Sequence, residues 1–225
     1  MYWEETGNDD VQHVPDKVVD VVFNIECKTL PVDHAYALTE AILQELPWLA
    51  DEVGAGVHHI HIPEAAHGWQ RPENADDLMH LSRRTRLVIR IPSQRLEEVQ
   101  QLTGITLDIS GNPMAIQKAA VRALSDITTI YARHVVAEDD DNEAQFLENI
   151  AALLAELNIR PRKMLPGKQN IIRTPAGDLK TRSLMLAELK QSESIRLQEQ
   201  GLGSHRHLGC GIFIPHKDIK ELKEE

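Results

Sequence analysis

Val18-Val-Asp-Val-Val-Phe-Asn-Ile-Glu-Cys27 alternates: Val19, Val21, Phe23, Ile25 and Cys27 share one face, and Asp20, Asn24 and Glu26 lie opposite. Period-two alternation of this length predicts a half-buried strand. Working outward, Pro31 or Asp33 opens a helix, Ala35, Leu38, Ala41, Ile42 and Leu46 recur at helical spacing, and Pro47 ends it. Gly54 and Gly56 break the chain before a second expected strand, VHHIHI at 57–62. A polar loop over 63–80 leads to a third strand, TRLVIRI at 85–91, then a short helix capped by Ser93 and a fourth strand at 105–109. The order strand, helix, strand, strand, helix, strand is the ferredoxin-like split unit.

The pattern then starts again. Residues 127–136 read as a strand, and 142–157 as an amphipathic helix with Phe146, Ile150, Leu153, Leu154 and Leu157 on one face. Residues 168–174 and 179–186 form a hairpin around Pro175-Ala-Gly-Asp178, followed by a short helix at 193–200 and a last strand at 211–215. The expected fold is therefore α+β: two tandem ferredoxin-like (βαββαβ) units, residues 17–123 and 124–217, the second carrying a C-terminal glycine-rich loop.

Length and composition agree with this. A chain of 225 residues, 42% hydrophobic and 26% charged, accommodates one large or two small domains. It is neither disordered, collagenous nor coiled-coil in composition. No apolar run approaches the ~18 residues of a membrane helix. The acidic N-terminus lacks a signal-peptide pattern, so a cytoplasmic location and no membrane partner are expected. Cys27 and Cys210 stand far apart in apolar stretches, which predicts buried thiols.

The net charge of −11 argues against nonspecific nucleic-acid binding, but its distribution is uneven. Acids gather at both ends and in a run at 138–143. Bases gather elsewhere: Arg160, Arg162, Lys163, Lys168, Arg173, Lys180 and Arg182 are interrupted only by Asp178. A second group is Arg83, Arg84, Arg86 and Arg90. Local field, not net charge, draws in a polyanion within a Debye length of ~10 Å.

The most specific local feature is Gly201-Leu-Gly-Ser-His-Arg-His-Leu-Gly-Cys-Gly211. Four glycines, Gly201, Gly203, Gly209 and Gly211, bracket His205-Arg206-His207. Glycine permits positive φ and close approach of backbone N–H groups to phosphate. The spacing is neither a Walker loop nor a dinucleotide fingerprint, since a strand follows. Eleven histidines are many for this length. His59 and His61 form an HxH pair that can ligate a divalent metal, although carboxylate partners are not evident nearby. His34 stands alone at the start of the first helix, where the dipole disfavours an imidazolium and leaves a ring able to accept a proton. Aromatics make up only 4%, which argues against reading single-stranded bases by stacking and favours recognition by shape and phosphates.

Leu30-Pro-Val-Asp-His-Ala35, Leu81-Ser-Arg-Arg-Thr-Arg-Leu87, Thr181-Arg-Ser-Leu-Met185 and Gly209-Cys-Gly-Ile-Phe-Ile-Pro-His-Lys217, with the glycine loop, resemble the RAMP superfamily of CRISPR proteins. The closer resemblance is to the sixth CRISPR-associated (Cas) family, MYXAN subtype: endoribonucleases that cut precursor CRISPR RNA within its repeats. The resemblance implies a catalytic histidine near the first helix, the place of His34, with His61 or Tyr36 as a second group. It implies CRISPR repeat RNA, precursor and mature guide, as partner, other Cas proteins of an effector complex as further partners, and no cofactor or metal. The implied reaction is attack of a ribose 2′-hydroxyl on its own phosphate, giving a 2′,3′-cyclic phosphate. The alternatives are a noncatalytic RNA-binding subunit of an effector complex, or a metal-dependent hydrolase using the HxH pair.

Overall fold

A computed structural model describes residues 17–62, 72, 74–138 and 142–216. The N-terminal acids, most of the acidic run after Glu138, part of the polar loop over 63–80 and the expected boundary at 217 lie outside these residues.

The first unit contains β1 (Val18–Glu26), β2 (Thr29–Pro31), α1 (Ala35–Glu45), β3 (Gly56–Val57), β4 (Leu78–His80), β5 (Arg86–Pro92), α2 (Leu96–Gln100), β6 (Thr106–Ile109) and β7 (Asn112–Ala123). Its main sheet runs β3-β5-β1-β7-β6, and β2 pairs with β4 apart from it. Taking β1, β3, β5 and β7 as the four strands gives the antiparallel ferredoxin-like order, with β6 added at the edge. Alternation in β1 works as expected: Val19, Val21, Phe23 and Ile25 are buried against Leu38 and Ile42 of α1. Each such side chain removed from water stabilises by roughly 1.5–3 kcal/mol.

Two features differ from the expectation. The expected strand at 57–62 pairs only through Gly56–Val57, and His58 adds one further bond to Val88 before the chain leaves the sheet. The place beside β1 belongs to β7, not to 105–109, which only flanks it. Residues 112–123 are rich in alanine and begin with Asn-Pro, so no hydrophobic period marks them. Pairing with β1 makes them a strand.

The second unit contains β8 (Ile130–Val136), α3 (Glu143–Glu156), β9 (Lys163–Thr174), β10 (Gly177–Ala187), α4 (Gln191–Gln200) and β11 (Ile214–Pro215). Its sheet order, β11-β8-β10-β9, is again ferredoxin-like. Asn142 caps α3 by accepting from the Gln145 amide, and Phe146, Ile150 and Leu154 pack on Ile130, Ala132, Leu184 and Leu186. A small cluster of Ala35, Ile172 and Cys210 joins the units. Both cysteines are free: Cys210 is fully buried and Cys27 partly so. Burial pushes the Cys210 thiol up to about 12. Among the described residues, no helix is long and apolar enough to cross a membrane.

Candidate active site

His34 sits at the N-cap of α1, 2% exposed. Its Nδ1–H donates to the carbonyl of Pro31 at 3.0 Å and lies 3.2 Å from that of Val32. Nε2 accepts from the Ile60 amide at 3.2 Å. These partners select the tautomer whose lone pair is on Nε2. His59 approaches edge-on, with ring centroids 6.1 Å apart, and stacks at 4.1 Å on His134 of β8. His59 is fixed in turn by donating from Nε2 to the Leu208 carbonyl at 2.6 Å. Three imidazoles from both units thus meet at the joint.

The sheet of the second unit is bulged at that point. Arg182 pairs with Val135 and Leu184 with Ala132, so Arg133 and His134 together oppose Ser183. On the other edge Arg182 pairs with Gln169 and Leu184 with Pro166, so Gly167 and Lys168 also oppose Ser183. A side chain at Gly167 would collide with the Ser183 hydroxyl. Bulges re-aim side chains, and here Arg133, His134 and Lys168 all border one cavity of about 380 Å³. His34, His59 and His61 line its opposite side. A neighbouring recess of about 670 Å³ shares His59, His134 and Asn170 and continues past Asp33, Arg173 and Lys180. Burial pushes the Asp33 carboxyl up, and Arg173 partly offsets this.

The expected site residues therefore divide. His34, His61 and Lys168 line the histidine cavity, and Arg173 and Lys180 line the adjoining recess. Tyr36 lies against Glu40 instead, where burial and that carboxylate push its phenol up. Arg162 and Lys163 pair with Glu188, and Arg182 lies over Phe146 near Glu143. Arg160, Arg83 and Arg84 are exposed, while Arg86 donates to the carbonyls of Arg83 and Thr85. Among the described residues, no three His, Cys, Asp or Glu side chains converge as a metal site requires.

The glycine loop differs most from its expected role. Only Gly203, Ser204 and His205 of the loop reach well into solvent. Gly201, Gly209 and Gly211 are buried, and a side chain at Gly209 would strike the His59 ring, so this glycine allows the loop to press on the first unit. Arg206 is turned inward. It donates to the Gln198 carbonyl, and burial pulls its pKa down to about 9. An interior guanidinium does not reach RNA phosphates. His207 is half-buried, which pushes its pKa down. The residues not anticipated are His134, Arg133 and Asn170. Their one sequence signal is the polar Arg-His pair inside an otherwise apolar strand.

Tandem ferredoxin-like units enclosing a histidine-lined cleft with cations on its walls define a class of protein suited to acid–base chemistry on a polyanion. A family model described as Cas6 Crispr matches residues 19–218. The chain belongs to the Cas6 family, the endoribonucleases of CRISPR RNA processing. The CRISPR-associated endonuclease Cas6 of Myxococcus xanthus strain DK1622 is 28% identical over 197 residues, 88% of this chain and 81% of that protein. The solved structure of a Cas6-related gene product from Pyrococcus furiosus aligns at TM-score 0.61 and 13% identity, covering 91% of this chain and 99% of that one. A structure described as a RAMP protein binding different RNA substrates aligns at TM-score 0.61 and 9% identity, covering 88% and 100%. At such identities the two structures speak for the fold alone.

Proposed function

We propose that this endoribonuclease cuts precursor CRISPR RNA within its repeats, without a metal ion, to give guide RNA ending in a 2′,3′-cyclic phosphate. The observation that carries the mechanism is the tautomer of His34. The Pro31 and Val32 carbonyls hold its Nδ1–H, which leaves Nε2 as the basic nitrogen on the cavity wall. On substrate binding, the 3.2 Å bond from Ile60 opens and Nε2 takes the proton of the 2′-hydroxyl. The oxygen attacks its neighbouring phosphorus, the bond from phosphorus to the 5′-oxygen breaks, and that oxygen leaves protonated. The nucleophile is tethered to its target, so proximity comes from the RNA itself. Lys168 and Arg133 offset charge on the phosphorane, and His61 contacts the RNA from the opposite wall, beside His34. Lys180 and Arg173 extend the phosphate track along the adjoining recess, with Arg160, Arg83, Arg84, Gly203 and His205 as outer contacts. Other Cas proteins of an effector complex then receive the guide RNA.

The test is cleavage of repeat RNA by His34→Ala. We expect a fall of about 10²–10⁴-fold in rate, the scale of general acid–base catalysis, with repeat binding kept within a few fold. Cutting at the wild-type rate overturns the assignment, and wild-type protein that binds the repeat without cutting it is a noncatalytic binder.

A further inference from the structure

Cleavage also needs a proton donor for the departing oxygen, and His34 cannot supply it while its Nε2 is the base. We propose that His134, contributed by the second unit, is the general acid. This rests on the endoribonuclease reading above.

Three observations converge on it. The bulge opposite Ser183 turns His134 toward the cavity that His34 borders from the other unit. The ring is held from two sides, by the stack on His59 and by Thr181. The Thr181 hydroxyl donates to the Asn170 carbonyl, so its oxygen accepts from His134 Nδ1–H at 3.0 Å. With Nδ1–H held by Thr181, Nε2 is the nitrogen that exchanges a proton with substrate once the RNA is bound. A catalytic group works best when packing and hydrogen bonds fix its rotamer. His61 borders the same cavity but is exposed on the extended segment after β3.

The balance is as follows. The 2′-oxygen loses its proton to His34 Nε2 and bonds to phosphorus. The bond from phosphorus to the 5′-oxygen breaks, and its electron pair takes the proton from His134 Nε2. His134 ends neutral and His34 ends as the imidazolium, and one proton passing between them through solvent resets the pair.

The test compares repeat RNA with the same RNA carrying sulfur in place of the bridging 5′-oxygen at the scissile linkage. A thiolate leaves without protonation. We expect His134→Ala to slow cutting of the oxygen RNA by about 10²–10⁴-fold, yet to cut the sulfur RNA within about tenfold of wild type. His34→Ala should be slow on both. His134→Gln keeps a donor near Thr181 and most of the ring's volume. It should behave as the alanine variant does, and it supplies the reading if His134→Ala does not fold. Wild-type rates on the oxygen RNA, or equal losses on both RNAs, overturn the proposal. So does rescue by sulfur in His61→Ala but not in the His134 variants. Wild-type protein that cuts neither RNA overturns the endoribonuclease mechanism itself.

Discussion

Arg90 on β5 is 1% exposed, and its guanidinium donates four hydrogen bonds. Nε and Nη2 donate to the two oxygens of Asp20, at 2.7 and 3.1 Å. Nη1 donates to the carbonyls of Gln198 and Phe213 in the second unit. This one side chain ties the sheet of the first unit to α4 of the second and to Phe213, just before its last strand. Truncating it takes the two-pronged partner from the buried Asp20 carboxylate, which keeps only Arg122 and His58, and removes the donor to the Phe213 carbonyl. Arg90→Ala should therefore lower unfolding free energy by about 3–5 kcal/mol in denaturant titration, and Arg90→Lys should recover little of it because an ammonium lacks the fork. Loss within 1 kcal/mol would show that the joint is held elsewhere. Burial alone would raise the Asp20 pKa, but His58 when protonated and the permanently charged Arg90 more than offset this and hold it well below the usual carboxylate range. His58 is pushed down from 6.5, chiefly by burial and despite Asp20. Both groups bind fewer protons folded than unfolded. The stability they give is full above their unfolded pKa values and is lost as pH falls through the folded ones, for His58 below about 6.5 and for Asp20 in stronger acid. The drop in thermal midpoint from pH 7 to 5 should accordingly be shallower in His58→Gln than in wild type, and an unchanged slope would contradict this. Little at this scale was legible in the sequence. His34 stood out by its place at a helix start. His134 did not, because its meaning depends on a bulge and on a partner ring 75 residues away in the other unit. Arg206 read as a loop-tip cation because a glycine-rich setting says nothing about which way a side chain turns.

The hairpin of β9 and β10 carries most of the basic stretch, and its two faces have different fates. Lys168 looks into the histidine cavity, Lys180 into the recess, whereas Lys163 is tied to Glu188 at the far end. Lys168→Ala should weaken binding of all RNA sequences about equally and reduce the slope of log affinity against log salt by about 0.7–0.9, the loss of one phosphate contact. Lys163→Ala should leave both nearly unchanged. Salt titrations of the two variants check this, and identical behaviour would make the hairpin a solvated surface. Hydrophobic period made β1, α1, α3 and β5 readable, since each buries one face on its own core. It failed for β7, whose alanines carry no strong period and whose strand identity comes from register with β1. It also overran at residues 58–62, where VHHIHI alternates yet departs from the sheet so that His59 can reach His134.

Across the whole molecule, the two units are complementary parts of one site. The first supplies His34, His59 and His61, the second Arg133, His134 and Lys168, and Gly209 lets the loop of the second unit press against His59 of the first. Although the net charge is −11, no acid among the described residues lines the histidine cavity, where Arg133 and Lys168 stand; Asp33, Glu138 and Asp178 border the adjoining recess beside Arg173 and Lys180. The central claim is that the cleft cuts RNA through an internal 2′-hydroxyl, with side chains alone moving the protons. The most direct measurement is single-turnover cleavage of repeat RNA carrying one 2′-deoxy substitution at the nucleotide before the cut, beside unmodified RNA, each with and without EDTA. The account predicts that unmodified RNA is cut at the same rate in chelator, leaving a 2′,3′-cyclic phosphate and a 5′-hydroxyl, and that the deoxy RNA is bound but not cut. Cleavage of the deoxy RNA, or activity lost in EDTA and restored by Zn²⁺ or Mn²⁺, would contradict it.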